Sequence, residues 1–392
     1  MRAAFVTPVA TLGGAERSLV DIWAALRGLD PSLDLHMVCG QADGPLYPLA
    51  DALGVTAHRL PMTGRVGTAG DASGVGLGRA TDLLAAGVGA VGYAARLRRL
   101  LTRLAPRVVH TNGLRCHLLC GPARPARAGV VWHVRDFVSS RPVVGRLLRY
   151  ARPAGAVVLA NSDAVTADVR RAVPAADVRT VHNGIDLTAF RPDGPAADLD
   201  ALAGLSAARP DTVRVGLVAT YARWKGHDVF LAAARLGAAN TRWYVVGGPT
   251  YQTTGSQFSR AELDASAGPT GVGFVPFQHD PAGVFRGLDV VVHASTKPEP
   301  FGRVIVEGMA CGRAVVATLA GGVGELVTPG VDAETVRPND PAALAAAVNR
   351  LAADPTRRAE LGRAAAAAAR RFSREAAGAR VLTVYRELAG RP

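Results

Sequence analysis

Lysine is nearly missing from this chain. Of its 45 basic residues only Lys225 and Lys297 are lysine, and the rest are arginine. Beside 44 glycines and abundant alanine, that bias is compositional. It weakens the usual reading of a net charge of +13 and a pI near 10.5 as a nucleic-acid footprint. Aromatic residues are also scarce, at 5%, and they do not interleave with the arginines, so nucleic acid is set aside. No apolar run approaches the ~20 residues that span a bilayer. There are four cysteines, Cys39, Cys116, Cys120 and Cys311. Cys116 and Cys120 form a C-x3-C pair with no second pair and no matching histidines, which argues against zinc and for free thiols in a reducing cytoplasm. No Asp-x-Asp motif with support from its surroundings and no His/Asp/Glu cluster of metal-ligand spacing is present, so neither metal nor cofactor is expected.

What remains is long and well patterned. The chain has 392 residues, 49% of them hydrophobic, with a mean hydropathy of +0.16, enough for two domains. Residues 3–6 read as a first strand; Pro8 and Gly13-Gly14 break the run too early for a secretion signal. Further strands are expected at 33–38, 55–60, 108–110, 130–134, 156–160 and 178–181. A second series is expected at 214–219, 243–246, 272–275, 288–292 and 314–317. Helical patterns lie between them, with a long one over 80–104 and three at the end over 340–353, 355–371 and 373–389. Such alternation implies parallel, doubly wound sheets, whose ligands sit beyond the carboxyl ends of the strands. His110, Asn112, His133 and Asp136 fall at those ends, and they are the candidates for ligand contact in the first half. Residues 63–78, rich in glycine, read as a flexible loop over that site. A patternless, proline-bearing stretch places the linker near residue 190. The expected domains are therefore 1–190 and 191–372, with a terminal helix over 373–392.

Chemistry concentrates in the stretch from His293 to Gly312. An apolar strand leads into Pro298-Glu299-Pro300, where two prolines forbid a helix and hold the chain extended. Gly302 allows a turn, and Val304, Ile305 and Met309 recur at helical spacing until Gly312. A strand, a stiff loop and a helix N-terminus make an anion site, because the first helical N–H groups are unpaired and the dipole is positive there. Glu299 and Glu307, spaced Glu-x7-Glu, bring two carboxylates to it. Lys225, in the loop after the strand at 214–219, can reach a diphosphate as a point charge. Arg223 stands two residues before it. Gly13-Gly14 opens the first helix in the same strand, glycine turn, helix arrangement.

The string Pro298-Glu-Pro-Phe-Gly302 with Glu299 and Glu307 resembles the donor-site signature of retaining family-4 glycosyltransferases. That resemblance implies the GT-B fold, two Rossmann-like doubly wound domains facing a cleft. It also implies transfer of a hexose from a nucleoside diphosphate, most simply UDP, to a hydroxyl acceptor. It assigns Glu299 to the donor sugar and Glu307 to the ribose, and gives the diphosphate to the backbone around Phe301, Gly302 and Arg303, to Lys225 and to the Gly14 turn. Gly248, at the end of the next strand, joins the donor site. The family's phosphate-binding arginine would stand at Thr220; Arg223 is its candidate replacement. His133 is the candidate for a strand-end histidine on the hexose, and His110, Asn112 and Asp136 are the candidates for the acceptor, with residues 63–78 as the loop over it. The acceptor is expected to be a natural product, or a lipid or polysaccharide if the basic helix Arg141–Arg152 rests on a membrane. A sugar-nucleotide epimerase and a non-catalytic sugar-nucleotide binder are the alternatives on the same fold. The enzyme is expected in the cytoplasm, or at the inner face of its membrane.

Overall fold

The computed structural model describes residues 1–62, 80–249, 255–268 and 271–390. The Gly-rich segment expected as an acceptor loop lies outside the described residues. The chain divides into two compact units, Met1–Gly184 with Arg374–Pro392, and Ile185–Ser373.

The first unit is built on seven parallel strands: β1 (Arg2–Thr7), β2 (Asp34–Cys39), β3 (Thr56–Arg59), β4 (Val108–Asn112), β5 (Gly129–Val134), β6 (Val157–Ala160) and β7 (Asp177–Thr180). Their spatial order is β3-β2-β1-β4-β5-β6-β7, so the winding reverses between β1 and β4. Strands β1, β5 and β6 run as near-continuous apolar stretches, as strands buried on both faces do, while the edge strands β3 and β7 are polar. The helix Gly14–Leu29 buries Leu19, Ile22, Trp23 and Leu26, and Glu16 reaches back over its first turn, where Gly13 N–H donates to Glu16 Oε2 at 3.2 Å. The last helix, Arg374–Ala389, belongs to this unit. It packs on Gly14–Leu29 so closely that a Cβ on Gly378 would fall 2.4 Å from that of Ala25. Val381, Leu382, Tyr385 and Leu388 complete the core, each worth roughly 2 kcal/mol of apolar burial. Ser162 caps the helix Asp163–Ala172, its Oγ accepting from Val165 N–H at 3.0 Å, as the Asn161-Ser162 ending suggests.

The second unit holds β8 (Val213–Val218), β9 (Thr241–Val246), β10 (Gly273–Val275), β11 (Val290–His293), β12 (Ala314–Thr318) and β13 (Glu334–Val336), ordered β10-β9-β8-β11-β12-β13 and all parallel. The reversal lies between β8 and β11, the strands that precede Lys225 and Glu299. The edge strand β13 is not expected from sequence: its three half-buried residues carry no apolar run, and its pairing to β12 organises it. The helix Leu46–Ala52 is likewise unexpected, with Pro48 in its first turn, where a missing N–H costs nothing.

Candidate active site

The loop after β8 makes one 3-10 turn, Arg223–Lys225, and then passes through Gly226 at φ +75°. Only glycine fits there. A Cβ would lie 1.9 Å from the carbonyl oxygen of Ala294, just past β11. The two loops are stitched by Thr296 N–H, which donates to Trp224 O at 2.8 Å. This close approach delivers Lys225 to the end of β11. Its Nζ lies 2.7 Å from Glu299 Oε2 and 4.0 Å from the centre of the Trp224 ring.

Glu299 is held on several sides. Ser295 Oγ donates to the same Oε2 at 2.9 Å, and His293 Nε2 lies 3.2 Å from it. Thr318 Oγ1, at the end of β12, donates to Ser295 O at 3.0 Å and lies 3.2 Å from His293 Nδ1. The backbone is fixed as well. Glu299 N–H donates to Ala320 O at 3.3 Å, and Glu299 O accepts from Gly322 N–H at 2.8 Å. Gly321, at φ +69°, passes so near that a Cβ would come 2.4 Å from Glu299 O. Burial alone would raise the Glu299 carboxyl, but the Lys225 ammonium and the His293 hydrogen bond outweigh it and hold the group far below the usual carboxylate range. Among the described residues no protein group bonds Oε1, so a fixed carboxylate keeps one oxygen for a ligand.

Three residues on, Gly302 stands at φ +102° as the N-cap of the helix Arg303–Ala310, with no side chain closing the helix mouth. Glu307, on the first turns of that helix, is buried; its Oε1 accepts from Arg303 Nε at 3.0 Å and Nη2 at 2.9 Å. The i,i+4 pair fixes the carboxylate and leaves Oε2 without a protein partner among the described residues. Phe301 is a core residue, edge-on to Phe372, and brings only its backbone to the loop surface. Gly248 accepts from Tyr221 N–H at 3.1 Å through its carbonyl and so borders the Lys225 loop. Arg223 is engaged elsewhere: its Nη2 lies 2.5 Å from Glu262 Oε1 and its guanidinium covers the Phe258 ring at 4.4 Å. Glu262 itself is tied down, because Ser259 N–H donates to it at 2.7 Å. Lys297 is exposed on the loop before Glu299.

In the first unit the candidates at the ends of β4 and β5 form one buried network. His110 Nδ1 meets Tyr385 Oη at 2.6 Å and its Nε2 meets His133 Nδ1 at 3.1 Å, so neither nitrogen of His110 is open to a ligand. Arg135 Nε donates to Asn112 Oδ1 at 3.0 Å and its Nη1 to Asn183 Oδ1. Arg135 Nη2 also lies 3.3 Å from His133 Nδ1. Guanidinium can only donate, so His133 Nδ1 is an acceptor. Burial first, and then the Arg135 cation, hold both histidines well below their ordinary value, and His133 is neutral. Its proton therefore sits on Nε2, which has no protein partner among the described residues. Asp136 faces another way: its Oδ1 accepts from Phe137 N–H at 2.9 Å and its Oδ2 lies 3.1 Å from Arg141 Nη2. Gly14 lies in the first turn of its helix, where its carbonyl accepts from Ser18 Oγ at 2.9 Å.

Sequence reasoning singled out Glu299 and Lys225 but not His293, Ser295 and Thr318. A signal for the first two was present: 293 and 295 are two apart at the end of a strand and share a side. Thr318, 25 residues from His293, announces nothing. Arg135, which fixes the proton on His133, is one arginine among many in the sequence and carries no signal of its own.

Two doubly wound parallel sheets, one carrying a Lys–Glu pair and an uncapped helix mouth at its winding reversal, define a glycosyltransferase of the GT-B fold. The comparisons agree. Residues 12–189 match the model described as Glycosyltransferase Family 4, and residues 210–354 the one described as Glycosyl transferases group 1. The alpha-maltose-1-phosphate synthase of Mycolicibacterium smegmatis is 30% identical over 92% of each chain. A D-inositol 3-phosphate glycosyltransferase of Xylanimonas cellulosilytica is 34% identical over 58% of each. The Anabaena protein Alr3699/HepE, solved with UDP-glucose, superposes with a TM-score of 0.80 at 22% identity, over 99% of this chain and 100% of its own. The chain belongs to the family-4 glycosyltransferases.

Proposed function

We propose that the protein transfers a hexosyl group from a UDP-sugar to a hydroxyl of a phosphorylated sugar or polyol, with retention at the anomeric carbon. The observation that carries this reading is the Lys225–Glu299 pair, 2.7 Å apart beside the helix mouth at Gly302. As the bond from C1 to the diphosphate oxygen breaks, negative charge grows on that oxygen. Lys225 and the N–H groups at the start of the Arg303–Ala310 helix stabilise it; single preorganised donors of this kind are worth about 3–4 kcal/mol. In this reading the positive charge comes from the chain itself and needs no metal. Glu299 Oε1 accepts from a donor-sugar hydroxyl, and Glu307 Oε2 from the ribose. His133 donates from Nε2 to a substrate oxygen. The acceptor oxygen bonds C1 from the face the diphosphate leaves, and its proton passes to the departing diphosphate oxygen.

UDP is favoured because a structural neighbour was solved with UDP-glucose. A phosphorylated acceptor is favoured over a natural-product aglycone because the two relatives' names carry a phosphorylated sugar and a phosphorylated inositol. Free, buried cysteines favour a reducing compartment such as the cytoplasm. The test is turnover of UDP-glucose against a panel of sugar phosphates, inositol phosphates and neutral aglycones, with product configuration read by NMR. An α-linked product from an α-linked donor on a phosphorylated acceptor is the expected result. No hydrolysis, transfer or heat of binding with any UDP-sugar would overturn the reading, and a β-linked product would overturn retention.

A further inference from the structure

The alternation of β4 and β5 sets four side chains on one face of the first sheet. His110 and Asn112 stand two apart on β4, His133 on β5 is the register partner of Asn112, and Arg135 follows two residues on. The terminal helix Arg374–Ala389 lies over this face, and its Tyr385 ring stands edge-on to that of His110 at 5.8 Å. Tyr385, His110 and His133 are all 1% exposed or less, so their protons are ordered by one another rather than by bulk water. Contacts run from Tyr385 Oη to His110 Nδ1 and from His110 Nε2 to His133 Nδ1.

Two proton orders satisfy such a chain. In the first, Tyr385 donates to His110 Nδ1, His110 donates from Nε2 to His133 Nδ1, and His133 carries its own proton outward on Nε2. In the second every bond is reversed, and His133 Nε2 is bare. A phenol can donate or accept, and a neutral imidazole can hold its proton on either nitrogen, so these three residues do not choose by themselves. The choice decides whether His133 offers a ligand a donor or an acceptor.

Arg135 breaks the tie. Its Nη2 lies 3.3 Å from His133 Nδ1, while Nε donates to Asn112 Oδ1 at 3.0 Å and Nη1 donates to Asn183 Oδ1. A planar guanidinium held through all three nitrogens cannot turn away, and it has no acceptor to offer. A proton on His133 Nδ1 would point at an N–H group, so that nitrogen stays bare. The order then runs backwards along the chain: His110 must donate from Nε2, its Nδ1 is bare, and the Tyr385 hydroxyl donates to it. We infer that Arg135 is a positioning residue that sets the proton order of the Tyr385–His110–His133 chain and makes His133 an obligate hydrogen-bond donor. A ligand group facing Nε2 must therefore accept, which a hydroxyl, ether or phosphate oxygen does and an ammonium does not. The contact with substrate rests on the function proposed above; the proton order does not.

Nitrogen-15 NMR of the histidine rings in the free, full-length protein tests this, because protonated and bare ring nitrogens resonate far apart. Signals are assigned by their loss in His110→Gln and His133→Gln. Both histidines should be bare at Nδ1 and protonated at Nε2. Arg135→Met should admit a proton to His133 Nδ1, moving that resonance away from the bare position, and should lower kcat/KM with a UDP-sugar at least about tenfold. Tyr385→Phe removes the phenol and keeps the guanidinium, so both tautomers should persist, a comparison that stands even if Arg135→Met does not fold. A proton on Nδ1 of either histidine in the unaltered protein, unmoved His133 signals in Arg135→Met, or a reversed order in Tyr385→Phe would each overturn the proposal. The tautomers are read without substrate, so a protein that turned over no UDP-sugar would count against the proposed function alone.

Discussion

Lys225→Ala removes an ammonium that two different properties depend on, and the two losses separate with pH. The Lys225 and Glu299 side chains are 19% and 9% exposed, so the pair is largely buried. Deleting one member of a buried pair costs about 3–5 kcal/mol, most of it from the charge left behind. The lower end applies here, because Ser295 and His293 still bond Glu299 Oε2. About 3 kcal/mol corresponds to a fall of roughly 6–12 °C in the melting temperature of a unit this size. The sign with pH follows from the shift. In the native protein the Glu299 carboxyl lies below its ordinary value, so its stabilisation is present above pH 4.5 and fades as pH falls through the native value. Without Lys225 the main opposition to burial is gone, the carboxyl moves up, and the ionised group costs more stability as pH increases. The gap between native and variant melting temperatures should be wide at pH 7.5 and narrow at pH 4.5. Lys225→Ala/Glu299→Gln, with no stranded charge, should regain most of the lost stability at pH 7.5. Turnover should not follow: both variants should fall at least about 100-fold in kcat. Melting curves at the two pH values, beside UDP-sugar turnover, make the measurement. A gap that does not narrow in acid, or a double variant no more stable than the single one, would refute the electrostatic reasoning. Near-normal turnover in Lys225→Ala would refute the site.

Three more outcomes are expected. Glu307→Ala should weaken UDP binding about 10- to 100-fold by calorimetry, the worth of a hydrogen bond to a carboxylate, and unchanged affinity would remove Glu307 from the ribose. Gly226→Ala should cost at least about 3 kcal/mol, because a left-handed backbone and a Cβ 1.9 Å from Ala294 O are strained together; a melting temperature within a few degrees of native would contradict the close approach. His117 is pushed down to about 3 by burial against Trp132, with its Nδ1 2.6 Å from Thr111 Oγ1. The unfolded chain binds that proton from pH 6.5 downward and the native one does not, so about 3 kcal/mol should drain from the first unit between pH 6.5 and 4. His117→Gln should flatten that part of the pH–stability curve.

Much of the fold could be read from the chain because parallel strands buried on both faces are written as apolar runs. Strands β1, β5, β6, β9, β11 and β12 all carry such runs, and Glu299, Gly302 and Glu307 stand in one of the strand–loop–helix punctuations. What could not be read was who faces whom. Tyr385 meets His110 across 275 positions, and Glu262 meets Arg223 across 39. Periodicity says that His110 points inward and that Arg223 can point outward, but not which partner will be there. Both residues looked free in the sequence for that reason, and both are engaged. The edge strand β13 was hidden differently: its hydrogen bonds come from β12 rather than from its own side chains.

The helix Arg374–Ala389 joins a unit whose other residues end at Gly184. On the ribosome, Tyr385 emerges 275 residues after the histidine it bonds. The unit carrying Lys225 and Glu299 is continuous in the chain and can close while synthesis is still under way. The one translated first must wait, its Gly14–Leu29 helix uncovered along the flank that Gly378 and Tyr385 will occupy. Nascent-chain folding should thus run against reading order, and a stop codon shortly before Arg374 should damage the half of the protein that was made first.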